Sequence, residues 1–312
     1  MSHTHDHDHG HVHAHEGHVH APASFGRAFA IGIALNTAFV VIEFVFGFLG
    51  NSVALMADAG HNLGDVLGLL VAWAATVLVK RAPSTRFTYG LRGSSILAAL
   101  FNAVLLLLAV GAISLEAVQR LGHPEPVAAG TVMIVAAIGI AVNGATAMLF
   151  ASGSRGDLNI RGAFTHMAAD ALVSVGVVVA GLVILVTGWL WLDPVVSLLI
   201  NVVIIWGTLG LLRGSVRMSL AAVPEEIDPE AVRTFLGQQP GVASVHDLHI
   251  WSMSTTETAM TAHLVMPAGP PGDAFLHHIC DELERDFGIG HATVQIETGP
   301  AEACALAPDG VV

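Results

Sequence analysis

SVALMADAGHNLGDVLGLLVAWAATVLV, residues 52–79, is longer than the ~20 residues that span ~30 Å of hydrocarbon, and it contains no Lys or Arg. Runs of this length exceed any core strand. Working outward, five more apolar segments follow the same rule, at about 26–49, 94–119, 127–150, 164–187 and 190–212. Breaks fall at Gly50-Asn51, at 80–93, at 122–126, at 152–161 and at Thr187-Gly188. The expected fold is therefore a membrane all-α domain of six transmembrane helices, over residues 25–215. Basic residues set its orientation, because they concentrate in cytoplasmic loops. Arg27, Lys80, Arg81, Arg86, Arg92, Arg155, Arg161, Arg213 and Arg217 fall on one side, and only Arg120 on the other. Both termini are expected in the cytoplasm, in agreement with an even number of spans. The compact length points to a bacterial inner (plasma) membrane.

Composition agrees. Hydrophobic residues make up 54% of the 312 residues and charged residues 12%, whereas a soluble domain carries about 25% charged residues. The net charge of −13 excludes nucleic acid as a partner, which needs a basic face, and suits a cationic one. Residues 1–24 form a low-complexity tail expected to be disordered. It holds nine of the 18 histidines: His3, His5, His7, His9, His11, His13, His15, His18 and His20. Neutral imidazole binds zinc, so the tail reads as an accessory metal collector. It is no signal peptide, having neither a basic start nor an apolar run. The two cysteines, Cys280 and Cys304, define no disulfide framework and suit a reduced compartment.

From about 220 to 299 the pattern changes to that of a small soluble domain. Asp228-Pro229 caps a helix near 229–238. Strands are expected at 242–251 and 257–266, a helix opened by Asp273 at 273–286, and a third strand at 292–297. The order αββαβ makes a small α+β, ferredoxin-like cytoplasmic domain with helices on one face of a sheet. Residues 300–312 read as a short C-terminal tail.

Ionisable groups at the centre of a spanning helix are costly and mark function. Segment two carries His61 and Asp65, and segment five carries His166 and Asp170, each as His-x-x-x-Asp. A spacing of four places both side chains on one face. Two facing pairs supply the two imidazoles and two carboxylates of a tetrahedral zinc site. Two carboxylates cancel a dication. The empty site, a buried double negative, favours uptake of protons, and metal competes with those protons for the ligands. That competition is the chemistry of an antiporter. A single buried His can satisfy itself on a backbone carbonyl, but two identical pairs each need a partner. Asp58, three residues before His61, reads as an accessory group behind the metal ligands or a proton carrier; Glu43 in segment one is the other deep acid, and for both a role in polar helix packing is the alternative. Asn36, Asn102, Asn143 and Asn201 read as polar glue, and Gly32, Gly47, Gly64, Gly68, Gly111 and Gly176 as sites of close helix approach. A metalloenzyme lacks support, since there is no His-Glu-x-x-His motif. A non-transporting zinc sensor needs no buried pairs. No organic cofactor is expected.

These residues resemble the cation diffusion facilitators. The resemblance rests on residues 51–65 around His61 and Asp65, on 86–92 with 96–102, on 159–166 with Asp170, and on 245–251 (VHDLHIW). It implies a homodimer that exports zinc from the cytoplasm in exchange for protons by alternating access. A two-His, two-Asp set is the zinc type in that family; leakage of Cd2+, Co2+ or Ni2+ is the broader alternative. It implies no loop site at 80–86, which lacks His, Asp and Glu. It also implies a cytoplasmic zinc site, with matching positions at His246, His263 and Glu297, His291 one residue out of register, and Cys304 as an added thiolate. His249, His277 and His278 are nearby alternatives, and Cys280 reads as a core residue.

Overall fold

The computed structural model describes residues 27–79, 82–151, 158–269 and 271–299, with Cys304 and Leu306. Within the helices, the side chains of 27–33, 68–69, 71–77, 79, 149–151 and 158–166 lie outside that description. The histidine-rich tail and most of the C-terminal tail lie outside it too.

Six long helices come first: α1 (Arg27–Leu49), α2 (Val53–Val79), α3 (Ser94–Gly122), α4 (Ala129–Ala151), α5 (Leu158–Thr187) and α6 (Leu192–Ser219). Over the described residues, four stretches are long and apolar enough to cross a membrane: Ser94–Gly122, Ala129–Met148, Met167–Thr187 and Leu192–Ser219. Helix α5 begins six residues before its apolar segment, and α6 ends seven residues past its own. Hydropathy marks the part of a helix that lies in lipid, and at 1.5 Å per residue a further seven residues carry α6 about 10 Å beyond it. Helix α4 packs on α5, α3 on α6 and α1 on α2. Leu55, Val110, Ile113, Val132, Val177 and Ile200 meet in the shared core. Trp206, Leu108, Phe101 and Leu172 point outward at 65–83% exposure, an apolar surface too extensive for water alone. Gly47 lets the α2 backbone approach α1, since a Cβ there would meet Met56 N at 3.1 Å. Among the described residues nothing lies within 4 Å of a Cβ built on Gly111 or Gly176, so no close approach is seen there.

The turn between α1 and α2 is held by polar groups. Arg120 donates from Nη1 to Asn51 O and from Nη2 to Asn51 Oδ1, each at 2.6 Å. Asn51 Nδ2 donates to Glu125 Oε2 at 2.9 Å and to Pro126 O at 3.2 Å. Arg120 is therefore a clamp on the turn. Asp193, in the first turn of α6 and 2% exposed, caps α2 from outside. It accepts hydrogen bonds from the Ser52 hydroxyl, from Val53 N at 2.8 Å and from Ala54 N. The orphan amides of the α2 first turn are thus satisfied by another helix. Asp193→Ala is expected to lower stability by about 1–2 kcal/mol, the worth of a good N-cap. Asp193→Asn, which keeps an acceptor, is expected to lose less. Thermal unfolding of the detergent-solubilised protein checks both.

The second domain comprises α7 (Pro229–Gly237), β1 (Ser244–Ser252), β2 (Thr258–Val265), α8 (Asp273–Phe287) and β3 (His291–Glu297). The sheet order is β1-β2-β3, with β1 antiparallel to β2 and β3 parallel to it. Val232 and Leu236 of α7 and Ile279 and Leu283 of α8 close on Met260 and Leu264. Asp228 caps α7 by accepting from Glu230 N at 3.0 Å. Asp273 does not cap α8: it is the first helical residue, and Gly272 at φ 100° holds the cap position. The chain after α2 rests on this domain. Arg92 Nη1 lies 3.2 Å from Glu257 Oε1, and Thr255 N donates to Ser95 Oγ at 3.1 Å.

Candidate metal centre

Helix α2 brings His61 and Asp65 to one face, as a spacing of four requires. Helix α5 brings Asp170 against them. His61 Nε2 lies 3.0 Å from Asp170 Oδ1, and one ligand atom from each of His61, Asp65 and Asp170 lies within 4.8 Å of the others. The Asp170 side chain is 2% exposed and that of His61 21%. Such a carboxylate is stable only with a cationic partner, a proton or a metal. His166 lies on α5 one turn before Asp170; its side chain is outside the described residues. Both deep acids flank this cluster. Asn62 Nδ2 donates to Glu43 Oε2 at 2.7 Å, and Ser174 Oγ donates to Asp58 Oδ2 at 3.1 Å. Asn201 Nδ2 donates to Ser114 Oγ at 3.0 Å, joining α6 to α3 as polar glue.

A second cluster lies in the small domain. His246 and His263 sit directly opposite across β1 and β2, with ring centroids 5.1 Å apart. Glu297 ends β3. Its Oε1 is 3.0 Å from His263 Nδ1 and its Oε2 is 3.4 Å from His246 Nε2. Cys304 Sγ reaches His263 Nδ1 at 3.7 Å. These four residues offer ligand atoms within 4.8 Å of one another. Two imidazoles, a carboxylate and a thiol are a zinc-type donor set. The fit has a direct mark: both ring nitrogens of buried His246 lack a hydrogen-bond partner among the described residues, as expected of groups built to face something else. Burial works against charge on Glu297. Hydrogen bonds from Cys304 and Gln295, with the nearby histidines, outweigh it and hold the carboxyl below its usual range.

His291 is not brought to this cluster. It opens β3 opposite Ala259, six residues from Glu297, about 20 Å along a strand. Its ring meets Tyr89 edge-on at 5.4 Å, so it belongs to the contact between the domains. His249 lies beside the cluster, its Nε2 2.9 Å from Asp247 Oδ1. Among the described residues His277 and His278 are not part of it, and His278 is 3.5 Å from Glu282 Oε1 on its own helix. Cys280 is half-buried, and burial, with Asp281 beside it, pushes its thiol pKa up.

Asp247 was missed by sequence reasoning. Alternation along a strand turns residue 247 to the opposite face from His246. A register shift between His246 and His249, with Asp247 at φ 50°, turns it back. Its Oδ2 then lies 3.4 Å from His263 Nε2, where a carboxylate orients an imidazole and leaves Nδ1 free for a metal. Reading a bulge into the VHDLHIW stretch was the only route to it.

Residues 29–218 match the family profile of the cation efflux transmembrane domain, and 224–299 match the cation efflux protein, cytoplasmic domain. A cadmium, cobalt and zinc/H(+)-K(+) antiporter of Bacillus velezensis is 35% identical over 284 residues, covering 89% of this chain and 90% of the relative. The metal cation efflux system protein CzcD of Cupriavidus metallidurans is 35% identical over 282 residues, 90% of this chain and 89% of its own. The zinc transporter ZitB of Escherichia coli is 36% identical over 276 residues, 88% of each. Both modules of one family match in order, and its members align along most of their length. The chain therefore belongs to the cation efflux family, the cation diffusion facilitators.

Proposed function

We propose that this protein exports zinc from the cytoplasm in exchange for protons. The observation that carries the reading is the convergence of His61 and Asp65 from α2 with Asp170 from α5, ligand atoms within 4.8 Å, in a helical membrane domain. With His166 as the fourth ligand, the set has the two imidazoles and two carboxylates that suit zinc. A neutral loaded site and a proton-hungry empty one make exchange the natural cycle. The names of the relatives, zinc transporter and cadmium, cobalt and zinc antiporter, point the same way and make Cd2+ and Co2+ the competing cargoes.

The rest of the reading follows from it. All six helices span a bacterial inner membrane, with both termini in the cytoplasm. The small domain has the ferredoxin-like arrangement of helices against a sheet and pairs two copies into a homodimer. His246, His263, Glu297 and Cys304 hold a resident zinc there. The tail of residues 1–24 collects metal without being required for transport. Proteoliposomes loaded with a zinc dye and a pH dye test the function: an imposed proton gradient is expected to drive zinc against it, with cadmium, cobalt and nickel carried more slowly. Zinc flux that never moves protons would count against exchange.

A further inference from the structure

Glu43 on α1 and Asp58 on α2 are both 0% exposed. Each has one satisfied oxygen: Asn62 Nδ2 donates to Glu43 Oε2, and Ser174 Oγ donates to Asp58 Oδ2. The other two oxygens, Glu43 Oε1 and Asp58 Oδ1, meet no N–H or O–H donor among the described residues. Asn62, which holds Glu43, lies one turn past Asp58 on α2, so the two carboxyls stand close enough to act on each other. Two carboxylates this close, buried from water, cannot both stay charged; a proton between them supplies the missing donor.

We propose that Glu43 and Asp58 form a proton-holding pair distinct from the metal site, which keeps one proton while that site is metal-free and releases it when a dication arrives. The proposal rests on the transport reading above. Its geometry is independent of it. Asp58 stands one turn from His61, about 4.5 Å of rise along α2. Asn62, which fixes Glu43, is one turn before Asp65, and Ser174, which fixes Asp58, is one turn past Asp170. Each anchor of the pair thus sits on the helix face that carries a metal ligand.

Asp170 acts on both carboxyls of the pair, and His61 acts on Asp58. Asp65 lies one turn farther along α2. Helix α4, packed against α1, brings no ionisable residue. A dication among His61, Asp65 and Asp170 repels a proton at this distance in a dry interior. The O–H bond of the shared carboxyl breaks, its electron pair stays on oxygen, and the proton leaves to water. Metal and proton then exclude one another without competing for the same atoms.

Difference infrared spectroscopy of the full chain in detergent, with and without zinc, tests this alongside protons released per zinc bound. In the wild type, zinc is expected to remove the carbonyl band of one protonated carboxyl. Glu43→Gln, whose amide can still donate to Asp58, is expected to lack that band and to bind zinc at near wild-type affinity. Its proton release per zinc is expected to fall by about one. Asp58→Asn is expected to do the same, which keeps the test open should either variant fail to fold. A wild type that binds zinc while keeping the band, or variants with unchanged band and release, would overturn the pair and leave zinc exchange standing. A wild type that binds no zinc at the membrane site overturns the transport reading instead.

Discussion

Asp170→Ala is expected to abolish zinc flux and the proton flux that accompanies it. Asp170 is 1% exposed, and its Oδ1 lies 3.0 Å from His61 Nε2. Two carboxylates neutralise a dication. With one removed, the loaded site keeps a net positive charge away from water, at a cost of several kcal/mol. At about 4 kcal/mol that is roughly a thousandfold in occupancy. Asp65→Ala removes the other carboxylate and is expected to match it. Asp170→Asn keeps the volume and removes only the charge, so it separates electrostatics from packing and is also expected to be inactive. Vesicles loaded with zinc and pH dyes read both fluxes at once. Zinc uptake that survived both alanine changes would sink the assignment of this site. Asp170→Ala is expected to stay folded, because it removes a buried charge whose partner, His61, is a titratable histidine.

Much of this site was legible because two independent rules converged on it. A lipid-facing helix must be apolar for about 20 residues, so any ionisable group inside one stands out. The spacing of four then puts His61 and Asp65 on one face, because a helix completes a turn in about 3.6 residues. What one helix shows another is a different matter. That Glu43 comes near Asp58 depends on how α1 packs on α2, and no periodicity within either helix contains it. Asp193 as a cap on α2 escaped for the same reason, since a cap is ordinarily sought in the residues just before a helix. In the small domain the elements followed from alternation and capping, because short strands with one buried face obey a period of two. Asp247 broke that period at a bulge. His291 was drawn in by closeness in register, while the strand carries it to the opposite end of β3 from Glu297. Charge counting along the sequence shows Arg120 only as a basic residue between segments three and four, whereas its two donors to Asn51 make it part of the turn itself.

The cytoplasmic cluster leads to the second large effect. Zinc is expected to protect β1, β2 and β3 against hydrogen exchange in the full chain, and His263→Ala is expected to remove that protection. His263 is the hub: its Nδ1 faces both Glu297 and Cys304, and its Nε2 faces Asp247. A ligand that binds only the folded state stabilises it by about 2.7 kcal/mol at a hundredfold excess over its dissociation constant. The cluster joins all three strands and the chain beyond β3, so this energy opposes every opening of the sheet. Cys304→Ser is expected to lose part of the protection, because three ligands remain. Asp247→Asn is expected to weaken zinc binding by about tenfold or more, the usual effect of disturbing a carboxylate behind a liganding imidazole. Asp170→Ala serves as the background for all three, since it silences the membrane site while leaving these residues in place. Protection that persists in His263→Ala on that background would mean that zinc stabilises the sheet from somewhere else. Protection that fails to appear in the Asp170→Ala protein itself would mean that the small domain responds to the membrane site and carries no metal of its own.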